Sequence, residues 1–183
     1  MARIHISRVT LSDLEILQEI CRTPFFETFA AVNTAENMAR YLEGVFSTER
    51  LTLEILNPES EFYFAWKDQR PLGYLKVNFG HAQNELQEAN ALEIERIYVL
   101  KAFQGEKVGP LLMGKALQIA RERKAATVWL GVWENNHRAL HFYRKNGFTE
   151  FGKHAFILGD DHQTDILMKR QLDGLTHRQV LCQ

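Results

Sequence analysis

Two glutamates in the run Leu92–Val99 are the residues whose spacing most strongly suggests chemistry. If this run forms a β-strand, the side chains of Glu93 and Glu95 share one face, because the side chains of a strand alternate. Two neighbouring negative charges raise the pKa of one carboxyl group, which suits a general base that works near neutral pH. A solvated pair of carboxylates beside Arg96 is the alternative without chemistry. The spacing therefore indicates two candidate proton acceptors.

An anion-binding turn is predicted after this run, in residues 104–110 (QGEKVGP). The segment contains two glycines and leads into a helical pattern of apolar residues from Val108 to Ile119. The first N–H groups of a helix have no partner within the helix, and the helix dipole adds positive potential there. A phosphate or pyrophosphate is the natural ligand of such a turn. Pro110 fits the first helical turn, where no N–H is needed.

Two other motifs are weighed against this interpretation. Residues 109–116 match most of a nucleotide-binding P-loop, but the last position is Ala116, which has no hydroxyl group for Mg²⁺. His137 and His141 are spaced for one face of a helix and could share a metal ion, but no third ligand is obvious near them. We therefore expect neither nucleotide hydrolysis nor a metal site.

Hydrophobic periodicity predicts the elements that must position these residues. Strands are expected at residues 3–9, 62–66, 72–79, 92–99, 127–132, 148–158 and 164–169. Helices are expected from Leu14 through Ile20, at 34–45, at 48–56, after the turn at 104–109, and at 136–145. Residues 80–91 are expected to form a polar loop, and 173–183 a loosely held end. This order predicts one α/β (α+β) domain over residues 1–183, with a mixed sheet and helices on its faces.

Composition excludes several classes of function. The chain has 183 residues, 22 Lys and Arg against 23 Asp and Glu, and a net charge of −1, without the basic excess typical of a nucleic-acid-binding protein. No apolar run approaches the roughly 20 residues that span a membrane, and the N-terminus lacks a signal-peptide pattern. Cys21 and Cys182 form no metal or disulfide motif, so we expect two free thiols. These features predict a cytoplasmic protein with neither nucleic-acid nor membrane partners.

The strand–turn–helix segment resembles motif A of the GNAT superfamily of N-acetyltransferases, written Q/R-x-x-G-x-G/A. Gln104 matches the first position and Gly109 the last, while Lys107 replaces the middle glycine. In that family the amides of the loop hold the pyrophosphate of coenzyme A. The resemblance implies that motif A covers about residues 92–122 and that acetyl-CoA is the cosubstrate.

A second segment, at about residues 127–148, resembles the motif B region of the same family. Residues 136–148 read as N-x-x-A-x-x-F-Y-x-x-x-G-F. Residues 130–134 and 159–165 resemble the bacterial PaiA-type spermidine/spermine acetyltransferases. The resemblance therefore implies the GNAT fold, with a mostly antiparallel sheet of about seven strands and helices on both faces.

The resemblance also implies roles for individual residues. Glu93 occupies the position of the family's base, counted back from Gln104, with Glu95 the second candidate, and Tyr143 matches the family's acid. A strand N–H near Ile97 to Val99 would stabilise the developing oxyanion. The implied residues of the acetyl-CoA site are Ile97, Tyr98, Val99, Gln104, Gly105, Glu106, Lys107, Val108, Gly109, Pro110, Asn136, Tyr143 and Lys145. For Asn136, simple helix capping is the alternative.

We therefore expect an enzyme that transfers an acetyl group to a small primary amine, with polyamines favoured by the resemblance. Carboxylates available to bind a cationic acceptor are Glu27, Glu36, Glu43, Glu93, Glu95 and Glu134. Acetylation of a protein lysine or N-terminus is a second enzymatic alternative, and a non-catalytic acyl-CoA-binding regulatory module is a third. A homodimer is left open.

Overall fold

The computed structural model describes residues 3–31, 33–158 and 161–172, and for residues 156–158, 161 and 162 the backbone alone. The strands are β1 (His5–Arg8), β2 (Ser60–Lys67), β3 (Arg70–Asn78), β4 (Ala91–Val99), β5 (Thr127–Trp133), β6 (Thr149–Leu158) and β7 (Asp161–Gln171). The helices are α1 (Leu14–Phe29), α2 (Ala35–Val45), α3 (Thr48–Leu56), α4 (Val108–Glu122) and α5 (His137–Lys145). The predicted end at 173–183 lies outside the described residues.

The strands form one seven-stranded sheet in the order β1-β2-β3-β4-β5-β7-β6. Every neighbouring pair is antiparallel except β4 and β5, which are parallel. A parallel pair needs a long crossover, and α4 supplies it. The predicted mixed, mostly antiparallel sheet is therefore confirmed.

Helices cover both faces of the sheet, as predicted. On one face, α4 and α5 pack against alternate residues of the central strands, including Leu75, Leu92 and Val128. On the other face, α1, α2 and α3 pack against an aromatic layer that includes Phe62 and Tyr74. Because successive strand residues point to opposite faces, one sheet serves two separate cores.

Local signals explain most of the element boundaries. The side chains of Thr34 and Ser47 cap α2 and α3 by accepting hydrogen bonds from backbone N–H groups three residues later. The hairpin between β2 and β3 turns through Asp68 and Gln69, both with positive φ, as a two-residue hairpin turn requires.

The first helix differs most from its sequence pattern. The pattern ends at Ile20, whereas α1 continues through Pro24 to Phe29. Proline inside a helix removes one hydrogen bond, but Phe25 and Phe29 beyond it are both buried against the aromatic layer. Burial of two aromatic rings offsets the lost bond and brings α1 to the candidate site.

Within the described residues, no helix combines the length and apolar character needed to cross a lipid bilayer.

Candidate active site

The site lies where two central strands separate. On β4, Ala91, Leu92 and Glu93 pair with β5 in a parallel ladder. Within the described chain, the ladder ends there. Both strands continue for several residues, so a gap opens between them. A cavity of about 800 Å³ occupies this region and is lined from α1, α2, β4, β5, β7 and the starts of α4 and α5. The splay thus exposes the strand backbone near Ile97 and Val99 to the cavity.

The turn before α4 presents a cluster of backbone donors to the same cavity. In the part of the chain that the structure describes, four N–H groups of the turn and first helical turn have no acceptor, those of Gly105, Lys107, Val108 and Gly109. All four residues line the cavity. The predicted turn is therefore present, and its free donors and the helix dipole suit a diphosphate group.

Of the two glycines in this turn, only Gly105 has a left-handed conformation. Gly109 already lies in α4 with ordinary helical geometry, and the left-handed positions are Gly105 (φ 97°) and Lys107 (φ 64°). A Cβ atom on Gly109 would meet the ring of Phe142 at 3.7 Å, an ordinary contact. The free protein therefore has room for a Cβ atom at Gly109.

Gln104 links the end of β4 to α5. Its Nε2 donates to the carbonyl oxygen of Val99 at 3.3 Å, and its Oε1 accepts from Nη1 of Arg138 on α5. Arg138 lines the cavity and adds a cation beside the phosphate turn. Sequence analysis missed Arg138, because it lies at a variable position of the motif B pattern and only the fold brings it to Gln104.

Glu93 is buried and held by hydrogen bonds from two asparagines. Its carboxylate accepts from Nδ2 of Asn78 at 2.9 Å, and from the backbone N–H and Nδ2 of Asn84 at 3.0 and 2.8 Å. Burial raises the pKa of Glu93 above its usual range, and the charge of Glu95 adds to the rise, while the asparagine hydrogen bonds oppose it. A carboxyl group with this raised pKa is suited to accept a proton at neutral pH.

The predicted polar loop at residues 80–91 explains how Glu93 is held. Gln83 binds the loop's own carbonyl groups and accepts a 2.8 Å hydrogen bond from Nε1 of Trp129. This anchoring places Asn84 next to the carboxylate of Glu93. Sequence analysis did not assign the loop a role, because its composition is merely polar.

Glu95 is an ion-paired residue with a different environment. It is the extra residue of a β-bulge, and its carboxylate contacts Nζ of Lys76 at 2.6 Å and Nη2 of Arg96 at 2.8 Å. Glu54 on α3 completes the cluster by binding both cations. Although burial acts to raise it, these two cations lower the pKa of Glu95 to about 2. Glu93 and Glu95 share one face of the sheet, as predicted, since Asn78 donates to both. Glu95 is nevertheless too acidic to serve as a base near neutral pH.

Tyr143 lies on α5 and lines the cavity with most of its ring buried. Phe142 and Phe148 hold the ring through edge contacts at centroid distances of 5.5 and 5.9 Å. Burial raises its pKa well above the usual range for tyrosine. The hydroxyl group therefore keeps its proton at neutral pH, as a proton donor requires.

Three further predicted residues have distinct positions. Asn136 lines the cavity, and its Oδ1 caps α5 by accepting from the N–H of Ala139 at 3.1 Å, so the capping alternative is observed. Glu106 and Lys145 do not line the cavity, and Glu106 pairs with Lys67 at 3.1 Å.

The side of the cavity formed by α1, α2, β5 and β7 is aromatic and acidic. Phe25 stacks on Tyr41 at 4.6 Å, and Phe29 contacts Trp133 at 5.5 Å. Of the carboxylates predicted to be available, Glu27, Glu93 and Glu95 line the cavity, whereas Glu36, Glu43 and Glu134 do not. Asp165, Glu85 and His154 also line it and were not predicted.

A splayed parallel strand pair with a donor-rich helix start between its ends defines a class of acyl-CoA-dependent transferase. Residues 19–148 match the Acetyltransferase (GNAT) family. The chain therefore belongs to this family and is an acetyltransferase.

Relatives of known name agree with this assignment. The chain is 43% identical over 172 residues to an uncharacterized N-acetyltransferase of Lactobacillus delbrueckii subsp. lactis, covering 94% of this chain and 99% of the relative. It is 27% identical to a spermidine N(1)-acetyltransferase of Thermoplasma acidophilum over 175 residues, covering 93% and 99%.

Solved structures give the same fold. The crystal structure of the PaiA N-acetyltransferase from Thermoplasma acidophilum in complex with coenzyme A is 25% identical, with a TM-score of 0.77 and coverage of 93% of this chain and 99% of that one. The ribosomal-protein-S18-alanine N-acetyltransferase of Escherichia coli has a TM-score of 0.71 at 14% identity, covering 98% and 100%. Similar folds therefore occur in enzymes named for different acceptors.

Proposed function

We propose that the protein transfers the acetyl group of acetyl-CoA to a primary amine of a polyamine such as spermidine or spermine. The observation that supports this most is that one cavity contains both the free N–H cluster at the start of α4 and the buried carboxylate of Glu93. An anionic cosubstrate and a cationic acceptor have separate, complementary ends in this cavity.

The cosubstrate end is built from main-chain donors. The N–H groups of Gly105, Lys107, Val108 and Gly109 hold the diphosphate, and the exposed edge of β4 near Ile97 and Val99 binds the pantetheine arm. Bound acetyl-CoA supplies an acetyl group activated as a thioester. The Lys107 ammonium and the Arg138 guanidinium add positive charge beside this end.

The acceptor end supplies the acid–base groups. Glu93 accepts a proton from the acceptor's ammonium group, directly or through water, because an amine must be neutral to react as a nucleophile. Tyr143 keeps its proton on the hydroxyl oxygen and donates it to the sulfur atom of the departing coenzyme A thiolate, as the C–N bond forms and the C–S bond breaks. Backbone N–H groups near Ile97 to Val99 stabilise the negative charge that develops on the acyl oxygen.

The decisive experiment measures thiol release from acetyl-CoA with a panel of acceptors. We expect turnover with spermidine and spermine, and little with aminoglycosides or lysine peptides, because aromatic residues of α1 and α2 wall the acceptor end. Turnover with lysine peptides alone would establish the protein-acetylating alternative. Coenzyme A binding without thiol release for any amine would establish the regulatory alternative.

A further inference from the structure

Asp165 is a cavity-lining carboxylate that, among the described residues, makes neither a hydrogen bond nor a salt bridge. The other acidic groups at the cavity are engaged: Glu93 by asparagines, Glu95 by Lys76 and Arg96, Glu27 by the backbone N–H of Lys101 at 3.1 Å, and Glu85 by His154 at 3.0 Å. The charge of His154, opposite Asp165 on β6, lowers the pKa of Asp165, but burial outweighs this effect. Such a group, partly withdrawn from water, is expected to have a cationic ligand.

The strands around Asp165 keep the space in front of it open. Asp165 lies opposite Trp133 on β5 and opposite His154 on β6. The Nδ1 atom of His154 contacts Glu85 at 3.0 Å. On β5, the position two residues before Trp133 is Gly131, where a Cβ atom would come within 3.6 Å of Asp165 Oδ2. The absence of a side chain at Gly131 therefore leaves the carboxylate accessible from the cavity.

An aromatic wall stands beside this carboxylate. Trp133 pairs directly with Asp165 in the sheet, so the two side chains share one face. The ring of Phe29 contacts that of Trp133, and both line the cavity. An ammonium group between a carboxylate and an indole face is attracted by both, and the aromatic contribution grows when water is excluded.

The position of Asp165 relative to Glu93 fits an elongated cation. Glu93 pairs with Trp129 and Asp165 pairs with Trp133, on the same face of the sheet. Their partner positions on β5 are four residues apart, which corresponds to about 13 Å along the strand. A linear chain with several amines can present one nitrogen to Glu93 and another to Asp165.

We propose that Asp165, with the indole of Trp133, binds the ammonium group of a linear diamine or polyamine that is not being acetylated. The residue therefore selects acceptors that carry a second positive charge. This inference rests on the proposed function and adds to it the residue that determines the acceptor. Burial raises the pKa of Asp165 to about 6, so the carboxyl group is charged at neutral pH.

The test compares spermidine with n-butylamine, which has a single amine, in the wild type and in Asp165→Asn. We expect KM for spermidine to rise about tenfold to hundredfold, the scale of one lost charged hydrogen bond, with kcat changing less than about twofold. KM for n-butylamine should not change. Asp165→Glu, which retains the charge, should stay closer to the wild type than the asparagine variant.

Glu150→Gln is the matched control for loss of one negative charge. Glu150 lies on β6, pairs with Arg144 at 2.6 Å and does not line the cavity, so KM for spermidine should be unchanged. An equal fall in kcat for both amines in Asp165→Asn would overturn the inference, because it would assign Asp165 to proton transfer. An unchanged KM for spermidine would overturn it too.

Calorimetry separates this inference from the proposed function. We expect spermidine to bind the enzyme loaded with coenzyme A, and Asp165→Asn to weaken that binding. If Asp165→Asn weakens spermidine binding but the wild type transfers no acetyl group, Asp165 remains a polyamine-binding residue and the proposed function is refuted. If the wild type acetylates spermidine normally and Asp165→Asn binds it with unchanged affinity, the proposed function stands and the inference is refuted. If spermidine neither binds nor reacts with the wild type, both fail.

Discussion

The two proposed ends of the cavity, a phosphate end for the cosubstrate and an amine end for the acceptor, are constructed in different ways. The phosphate end is made of main-chain N–H groups from Gly105 to Gly109, and neighbouring residues supply all of them. The amine end is made of side chains, and Glu93 depends there on Asn78 from β3 and on Asn84 from a loop. Main-chain donors are available wherever a helix begins, whereas a carboxylate acquires its properties only from its surroundings.

Glu93 and Glu95 show what this difference means for chemistry. They are two residues apart, and the same asparagine donates to both. Burial raises the pKa of Glu93, whereas Arg96 and Lys76 lower that of Glu95 to about 2. The candidate base is therefore distinguished from its neighbour by the placement of two cations.

The largest effect is expected from Glu93→Gln. The amide cannot accept a proton, so kcat should fall by about 10²- to 10⁴-fold while KM for acetyl-CoA stays the same. In the wild type, the rate should rise with pH through a pKa above the ordinary glutamate value, because only the ionised carboxylate accepts a proton. Steady-state kinetics between pH 5 and 9 measure both effects, and a variant that keeps this pH dependence would exclude Glu93 as the base.

Tyr143→Phe should give the next largest loss. The phenylalanine ring can keep the contacts with Phe142 and Phe148 but has no proton to donate. We expect kcat to fall by about 10²-fold with KM for acetyl-CoA nearly unchanged. An unchanged kcat would remove Tyr143 as the acid. Thermal unfolding of the variant checks that any loss reflects chemistry rather than folding.

Glu95→Gln should affect stability more than catalysis. Removing this anion leaves Lys76 and Arg96 with Glu54 alone, and breaking a buried ion pair costs about 3 kcal/mol of unfolding free energy. Because the folded pKa of Glu95 is depressed, its contribution is present above about pH 4.5 and is lost as the pH falls towards 2. Urea unfolding should therefore show that the unfolding free energies of variant and wild type differ less at pH 3 than at pH 7. A collapse of kcat at unchanged stability would contradict this structural role.

Sequence reasoning was more complete for the phosphate end than for the amine end. The turn at 104–110 and the order of the elements follow from local patterns and from a motif contained in one stretch. Arg138, Asn84 and Asp165 acquire their positions only when distant segments meet. The ion-pair partners of Glu95 likewise come from β3 and α3, so its low pKa could not be predicted from its spacing to Glu93.

Gly109→Val tests the phosphate end directly. In the free protein the new Cβ atom meets only Phe142 at an ordinary distance, so the fold should be retained. The added methyl groups should hinder a diphosphate at the N–H groups and lower acetyl-CoA affinity about tenfold or more. Gly114→Val is the matched control, because Gly114 lies on the same helix with open space around it and outside the cavity. Equal affinities of the two variants, measured by calorimetry, would contradict the assignment.

Lys107→Gly is expected to have the smallest effect. It separates the contribution of the backbone N–H groups from that of the side chain at the phosphate end. Lys107 has a φ of 64°, a left-handed conformation that costs a residue with a side chain about 1 kcal/mol. Lys124, with a φ of 57° just after α4, has the same conformation away from the cavity. Glycine at either position should therefore raise the unfolding free energy by up to about 1 kcal/mol. The gain is smaller to the extent that glycine adds entropy to the unfolded chain.

Affinity for acetyl-CoA should distinguish these two glycine variants. Lys107→Gly keeps the N–H groups but loses an ammonium beside the diphosphate, so its affinity should fall a few-fold, and the loss should shrink as salt screens the charge over a Debye length of about 10 Å at 0.1 M. Lys124→Gly should bind as the wild type does. If Lys107→Gly also binds with unchanged affinity at low salt, the phosphate end depends on main-chain donors without help from this side chain, and the contrast with the amine end becomes sharper.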